Sequence, residues 1–267
     1  MVIIAALAVL KVNHHRFHAA LGTGCMVGGS RLRWPLDPGQ ASIAATIAGV
    51  AAHRAMPERA VAIAYAAALQ ESYLEDLRYG DRDSVGVFQQ RPSQGWGTRR
   101  QLLDPVYAST RFFIALAAIP HYERLRIDKA AQAVQHSSDG QAYGQWVPQG
   151  ADMAAGFSGR RPRAVWCWYG TGFRGRGQLS AAGTQLRRAF GRLTISHAAD
   201  PLARVRVRGP DMGWAVATWL VSHAARFNIK QVSYQGYQWT AAHGTKGWIA
   251  GPRARRAAAA RMGVTFG

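Results

Sequence analysis

The sequence predicts a mainly α-helical chain that ends in a small α+β unit, and three observations carry that prediction. Apolar residues recur at helical spacing through QASIAATIAGVAAHRA, PERAVAIAYAAALQ and LLDPVYASTRFFIAL, between 40 and 116. That pattern breaks at 71–97, ESYLEDLRYGDRDSVGVFQQRPSQGWG, where GDRDS and RPSQGWG have turn chemistry and no core stripe. From 203 onward RVRVRG alternates like an edge strand, GWAVATWLVSHAARFNI is helical, and KQVSYQGYQWTAAHGTKGW reads as paired strands. The last stretch is therefore a β-α-β-β module.

In chain order, residues 1–34 open with VIIAALAVL at 2–10, a run of nine that is too short to span a bilayer. No basic stretch precedes it and no clean cleavage site follows, so it is a poor signal peptide and reads as the trailing half of a membrane anchor. His14, His15 and His18 have metal-ligating side chains but read as a polar flank to that run. RLRWPLDPG, 31–39, is extended, because two prolines and a glycine exclude a regular helix.

Residues 35–155 form the helical domain. Ile43, Ile47 and Val50 mark its first helix, and Pro57 with Glu58 opens a second that ends at Glu71. After a hairpin-like segment at 79–98, Asp104-Pro105 starts a third helix carrying Val106, Phe112, Phe113 and Leu116. His121-Tyr122 begins a connector, and Asp128 caps a fourth helix on which Gln132 and Gln135 share a face. Residues 156–202 shift to Gly, Arg, Pro and Ser and read as a linker with one short helix, LSAAGTQLRRAFGRL. In the module, 203–267, Trp214, Trp219, Trp239 and Trp248 either line a sugar-binding surface or form the core of a domain too small to do without large aromatics. His223 and His243 lack the pattern of a zinc site and read as structural.

The net charge is +19, and only four of the 33 cationic side chains are lysine, which together with abundant alanine suggests a high-GC genome. Such a charge points to a polyanionic partner: an anionic wall polymer, a membrane surface or nucleic acid. Nucleic acid is disfavoured, since no RNA-binding signature or zinc-finger spacing is present. Much of the excess lies in 159–208 and 252–261, where a solvated basic linker is the plainer reading. No run of about twenty apolar residues exists, which excludes a transporter built from this chain. Cys25 and Cys167 flank the helical domain. They either close a disulfide in an oxidising compartment or remain two thiols, and the sequence leaves both open.

Glu71 is the residue on which a chemical reading turns. A carboxyl on the lip of a buried helix is partly desolvated and sits at the negative end of the helix dipole. Both effects raise its pKa, so it can hold a proton near neutrality. Asp81 and Asp83, in GDRDS, either activate water or tie down the turn through Asx-turns and bridges to Arg82 or Arg91. Trp96 and Tyr79 either stack on sugars or hold the segment together.

Glu71-Ser72 followed by Gly86-Val87-Phe88-Gln89, with the Asp104-Pro105 helix beyond, resembles the catalytic segment of soluble lytic transglycosylases and goose-type lysozymes. The wider strings GDRDSVGVFQQRPSQGWGT and AAQAVQHSSDGQAY resemble a lysozyme-like module of actinobacterial cell-surface proteins. The C-terminal stretch resembles a module attached to many secreted actinobacterial proteins, for which no secure activity is known. The resemblance covers about 40–147.

It implies an extracytoplasmic glycosidase that acts on peptidoglycan glycan strands without a cofactor. Glu71 would be general acid and then base, because in a transglycosylase the sugar itself supplies the stabilising and attacking groups. Ser72 would bind substrate, with Gly86, Phe88, Gln89 and Gln90 in the cleft floor. Where the family has an Ala-Tyr-Asn-like group, this chain has Gln132, Gln135 and Tyr143. The rival class is a non-catalytic wall-binding or scaffold protein that keeps the fold.

Overall fold

A computed structural model describes residues 22–136, 141–170, 176–199, 201–251 and 261–267. The apolar run at 2–10, His14, His15 and His18, and the basic stretch at 252–260 lie outside the described residues. About 49% of the chain is helix and 18% strand, so the molecule is a mixed helix-and-sheet structure and not plainly mainly α. The difference comes from two antiparallel sheets, of three and six strands. Several of their strands are too short, or too weakly alternating, to announce themselves locally.

The first sheet contains β1 (Gly24–Gly28), β2 (Arg33–Leu36) and β3 (Val165–Trp168), in the order β2-β1-β3. Cys25 pairs directly with Cys167 across β1 and β3, and the two are joined by a disulfide with S–S 1.99 Å. The bond spans a sequence separation of 142 residues. Closing a loop of that length costs the unfolded chain about 5 kcal/mol on the chain-entropy view.

Two helices form the centre of the helical part. α1 (Pro38–His53) begins at Asp37 with a capping box that uses Gln40. α2 (Glu58–Ser72) is buried from Ala60 through Leu69 and stops at Tyr73, whose left-handed backbone ends the helix. A helix apolar on nearly every face must be surrounded, and α2 packs against α4 (Pro105–Ala117), α5 (Ile127–Gln135) and α6 (Val147–Phe157). The short α3 (Arg99–Leu102) precedes α4.

Asp104 caps α4 by accepting from the Val106 N–H, with Pro105 at its first position. Asp128 is not the cap of α5. It is the second residue of the helix, buried in the first turn and paired with Arg126 at 3.1 Å, while Arg126 occupies the cap position. The segment at 79–98 is a chain of turns with one bridge, Val85 to Gln90, and a single 3-10 turn at Pro92–Gln94, and not a regular hairpin.

The second sheet runs in the order β4-β5-β9-β6-β7-β8: β4 (Thr194–Ala199), β5 (Leu202–Arg206), β6 (Ile229–Tyr234), β7 (Tyr237–Thr240), β8 (Ile249–Ala250) and β9 (Arg261–Phe266). RVRVRG is thus no edge strand, since β4 and β9 pair on either side of β5. Gln235 and Gly236 both adopt positive φ, which suits the two-residue turn between β6 and β7. α7 (Leu179–Phe190), α8 (Pro210–Ser222) and the short α9 (Ala224–Phe227) accompany this sheet.

Residues 156–202, read from composition as a linker, contain β3, α7 and β4. α1 packs against both α7 and α8, so one continuous apolar core runs through both parts. Trp214, Trp219 and Trp239 are buried in it. Trp239 and Trp248 donate to the carbonyls of Cys167 and Val165, each at 2.8 Å, which ties the disulfide sheet to the C-terminal part. These tryptophans are therefore core and clamp residues. His223 is also buried, with Nδ1 2.8 Å from the Trp219 carbonyl, and burial lowers its pKa to about 3.

Candidate active site

The penultimate residue of α2 is Glu71, and the last turn of that helix leaves it half-buried. Tyr143, from the connector between α5 and α6, donates its hydroxyl to Glu71 Oε1 at 2.7 Å. Gln135, at the end of α5, also hydrogen-bonds the carboxyl. Burial pushes the Glu71 pKa upward, while the bonds from Tyr143 and Gln135 pull it partly back. A group so placed keeps its proton more readily than a free glutamate, and its anion is met by two donors once the proton has left.

Gln135 does a second job. Its amide donates to the Phe88 carbonyl at 2.8 Å, which links the acid to the loop opposite. That loop turns at Gly86, where φ is +77° and a Cβ would stand 2.2 Å from the Leu102 carbonyl oxygen. Only glycine fits there without displacement. Phe88 faces inward, fully buried and stacked on Phe112 with centroids 4.5 Å apart, so it presents its backbone and not its ring to Glu71's surroundings.

The other residues proposed from sequence divide clearly. Ser72 is buried and donates to the Val87 carbonyl at 2.7 Å, pinning the loop to the helix end. Its hydroxyl faces the interior, and its contacts describe a positioning residue instead of a substrate ligand. Gln89 is turned back on its own loop, donating to the Gly86 carbonyl at 3.1 Å. Gln90 is buried, with its amide 3.4 Å from the Ala108 carbonyl of α4. Gln132 meets Lys129 at 3.5 Å on α5.

Asp83 accepts from Arg91 at 2.8 Å and from the Ser93 N–H at 2.7 Å, and these partners hold its pKa well below the usual carboxylate range. Asp81 is exposed, 3.9 Å from Arg82. Trp96 is half-buried against the core, whereas Tyr79 stands 73% exposed.

Sequence reasoning passed over one group beside the acid. Gln70 precedes Glu71 and accepts from the Trp146 Nε1 at 2.8 Å, and Trp146 in turn meets the Tyr73 ring edge-on at 5.5 Å. The indole lies 76 residues downstream of Gln70, and no local pattern predicts that meeting. Among the described residues no group of three or more His, Cys, Asp or Glu side chains is arranged to hold a metal ion.

Compared with known families and with curated proteins, the chain matches no family model and no curated sequence.

Proposed function

We propose that the chain cleaves the MurNAc-GlcNAc backbone of peptidoglycan as a lytic transglycosylase, with a lysozyme-like helical part at 35–155 and Glu71 as general acid and base. The observation that carries this reading is the setting of Glu71: a half-buried carboxyl with a raised pKa, held by Tyr143 and linked through Gln135 to the Phe88 carbonyl. Glycosidic cleavage needs a proton on the leaving oxygen, and a carboxyl with a raised pKa supplies one near neutral pH. Tyr143 and Gln135 then stabilise the carboxylate that must take a proton from the attacking group. Asp83 is already bonded to Arg91 and Ser93, which favours the route that requires no second carboxylate. The expected location is the cell surface.

One observation favours a second reading, a wall-binding protein. Arg204 and Arg206 alternate along β5 with buried Ala203 and Val205 and, with Arg208 just beyond, are exposed. Three guanidinium groups on one open sheet face would suit an anionic wall polymer. Digesting purified peptidoglycan and weighing the products separates the readings. Anhydro ends mean transglycosylase, reducing ends mean hydrolase, and intact glycan with the protein bound means a binder.

A further inference from the structure

Another region, which does not include Glu71, lies where the helical part meets the C-terminal part. There the turn before α4 together with α1, α7, α8 and α9 encloses a cleft of about 400 Å3, within the range of about 300–1,000 Å3 that small-molecule sites occupy. Asp104 is already engaged, capping α4 and paired with Arg188. Asp76 has no salt-bridge partner among the described residues. Solvent reaches Asp76, and partial burial together with the neighbouring Asp104 raises its carboxyl to about 6 against the opposing pull of Arg78, so a further positive charge there would be met favourably.

Donors come from the other side of the chain. Arg226 is exposed, its guanidinium 5.2 Å above the Phe227 ring, and it has no carboxylate partner among the described residues. Trp219 also lines the cleft, is 1% exposed, and its Nε1 has no hydrogen-bond partner. A buried donor left unpaired costs stability, so a ligand acceptor that reached it would recover that loss. Ile43 and Val106 supply apolar wall.

From an unpaired carboxylate, an unpaired guanidinium and an orphan indole N–H around one cleft, we propose that this cleft binds a zwitterionic amino acid or short peptide. Its ammonium group meets Asp76, and its carboxylate meets Arg226 and the Trp219 N–H. The site operates whether or not Glu71 cleaves glycans.

Isothermal titration of the full chain at neutral pH tests this with four probes: alanine, dialanine, N-acetyl-dialanine and dialanine amide. Binding of alanine or dialanine is expected, and the tighter of the two tells a free amino acid from a peptide. Each capped form should bind at least about tenfold more weakly, the equivalent of one lost charge-assisted bond. Asp76→Asn should weaken the free dipeptide without weakening the N-acetyl form further, and Arg226→Gln should do the same for the amide. Trp219→Phe keeps a ring against His223 and removes the donor, so it should weaken every probe that retains a carboxylate. No heat from alanine or dialanine at millimolar concentration, or equal binding of free and capped forms, overturns the proposal. Peptidoglycan cleavage measured alongside reports on Glu71 separately, so either reading can fail alone.

Discussion

The end of α2 and the loop that follows it each carry a carboxylate, and the fold treats the two in opposite ways. Glu71 is half-buried, its pKa raised by burial and checked by two neutral donors. Asp83, twelve residues later, is fixed by an arginine and a backbone N–H that hold it ionised. Both sit where sequence alone allows either a chemical or a structural role. The difference teaches that proximity to a cleft-like turn is no criterion for reactivity. What distinguishes the acids is whether their partners favour one charge state outright or leave both within reach.

The largest expected effect is that of Glu71→Gln, which removes the transferable proton from a nearly isosteric side chain. Peptidoglycan cleavage should fall by about 10²-fold or more, with the fold unchanged by circular dichroism. Full activity in that variant would remove the chemical half of the contrast and make the wall-binding reading the leading one.

Tyr143→Phe should come next, at about tenfold, because one hydrogen bond to an anion is lost. Tyr143 favours the ionised form, so its removal raises the Glu71 pKa further. The limb of the pH–rate profile on which Glu71 loses its proton should therefore move to higher pH, and a shift to lower pH would contradict the assigned role.

Asp83→Asn should cost less, about threefold, through a loosened loop, provided the sugar supplies its own nucleophile. A loss equal to that of Glu71→Gln would mean that water is activated by Asp83 and the reaction is hydrolysis. The smallest effect concerns stability. The folded pKa of Glu71 lies above the ordinary 4.5, so its contribution is fully present below that value and is lost as pH rises through the folded pKa. Glu71→Gln should accordingly melt a few degrees higher than the natural chain at neutral pH, and the gap should close in acid. A gap of constant size would show that burial does not raise this pKa.

Much of the helical part was legible because its information is local. The apolar stripes of α1, α2 and α4 and the Asp104 cap follow from spacing and turn chemistry. Helical spacing puts Gln132 and Gln135 on one face of α5, and of the two Gln135 meets the Phe88 carbonyl while Gln132 meets Lys129. The missing parts depend on meetings between distant segments. β1 and β3 pair across more than a hundred residues, and β4 and β9 flank β5, an interior strand that looked like an edge. A substrate role for Ser72 rests on the resemblance of Glu71-Ser72 to the lytic transglycosylase motif. The serine's direction is instead set by the Val87 carbonyl, which a helical wheel does not contain. Trp146 reached Gln70 in the same way, through the packing of α6 on α2.

The disulfide between β1 and β3 turns residues 25–167 into a covalent ring that contains Glu71, Tyr143 and Gln135. A protease that cuts that ring once produces two pieces still joined through Cys25 and Cys167. On a gel the nicked molecule would run as one intact band until a reducing agent separated it. A cut beyond residue 167 has no such protection, because after it the C-terminal part is held to the ring by packing, hydrogen bonds and ion pairs such as Arg188 with Asp104, with no second disulfide. The half of the molecule that carries the proposed chemistry therefore survives wear as a single covalent object, and the other half can be shed.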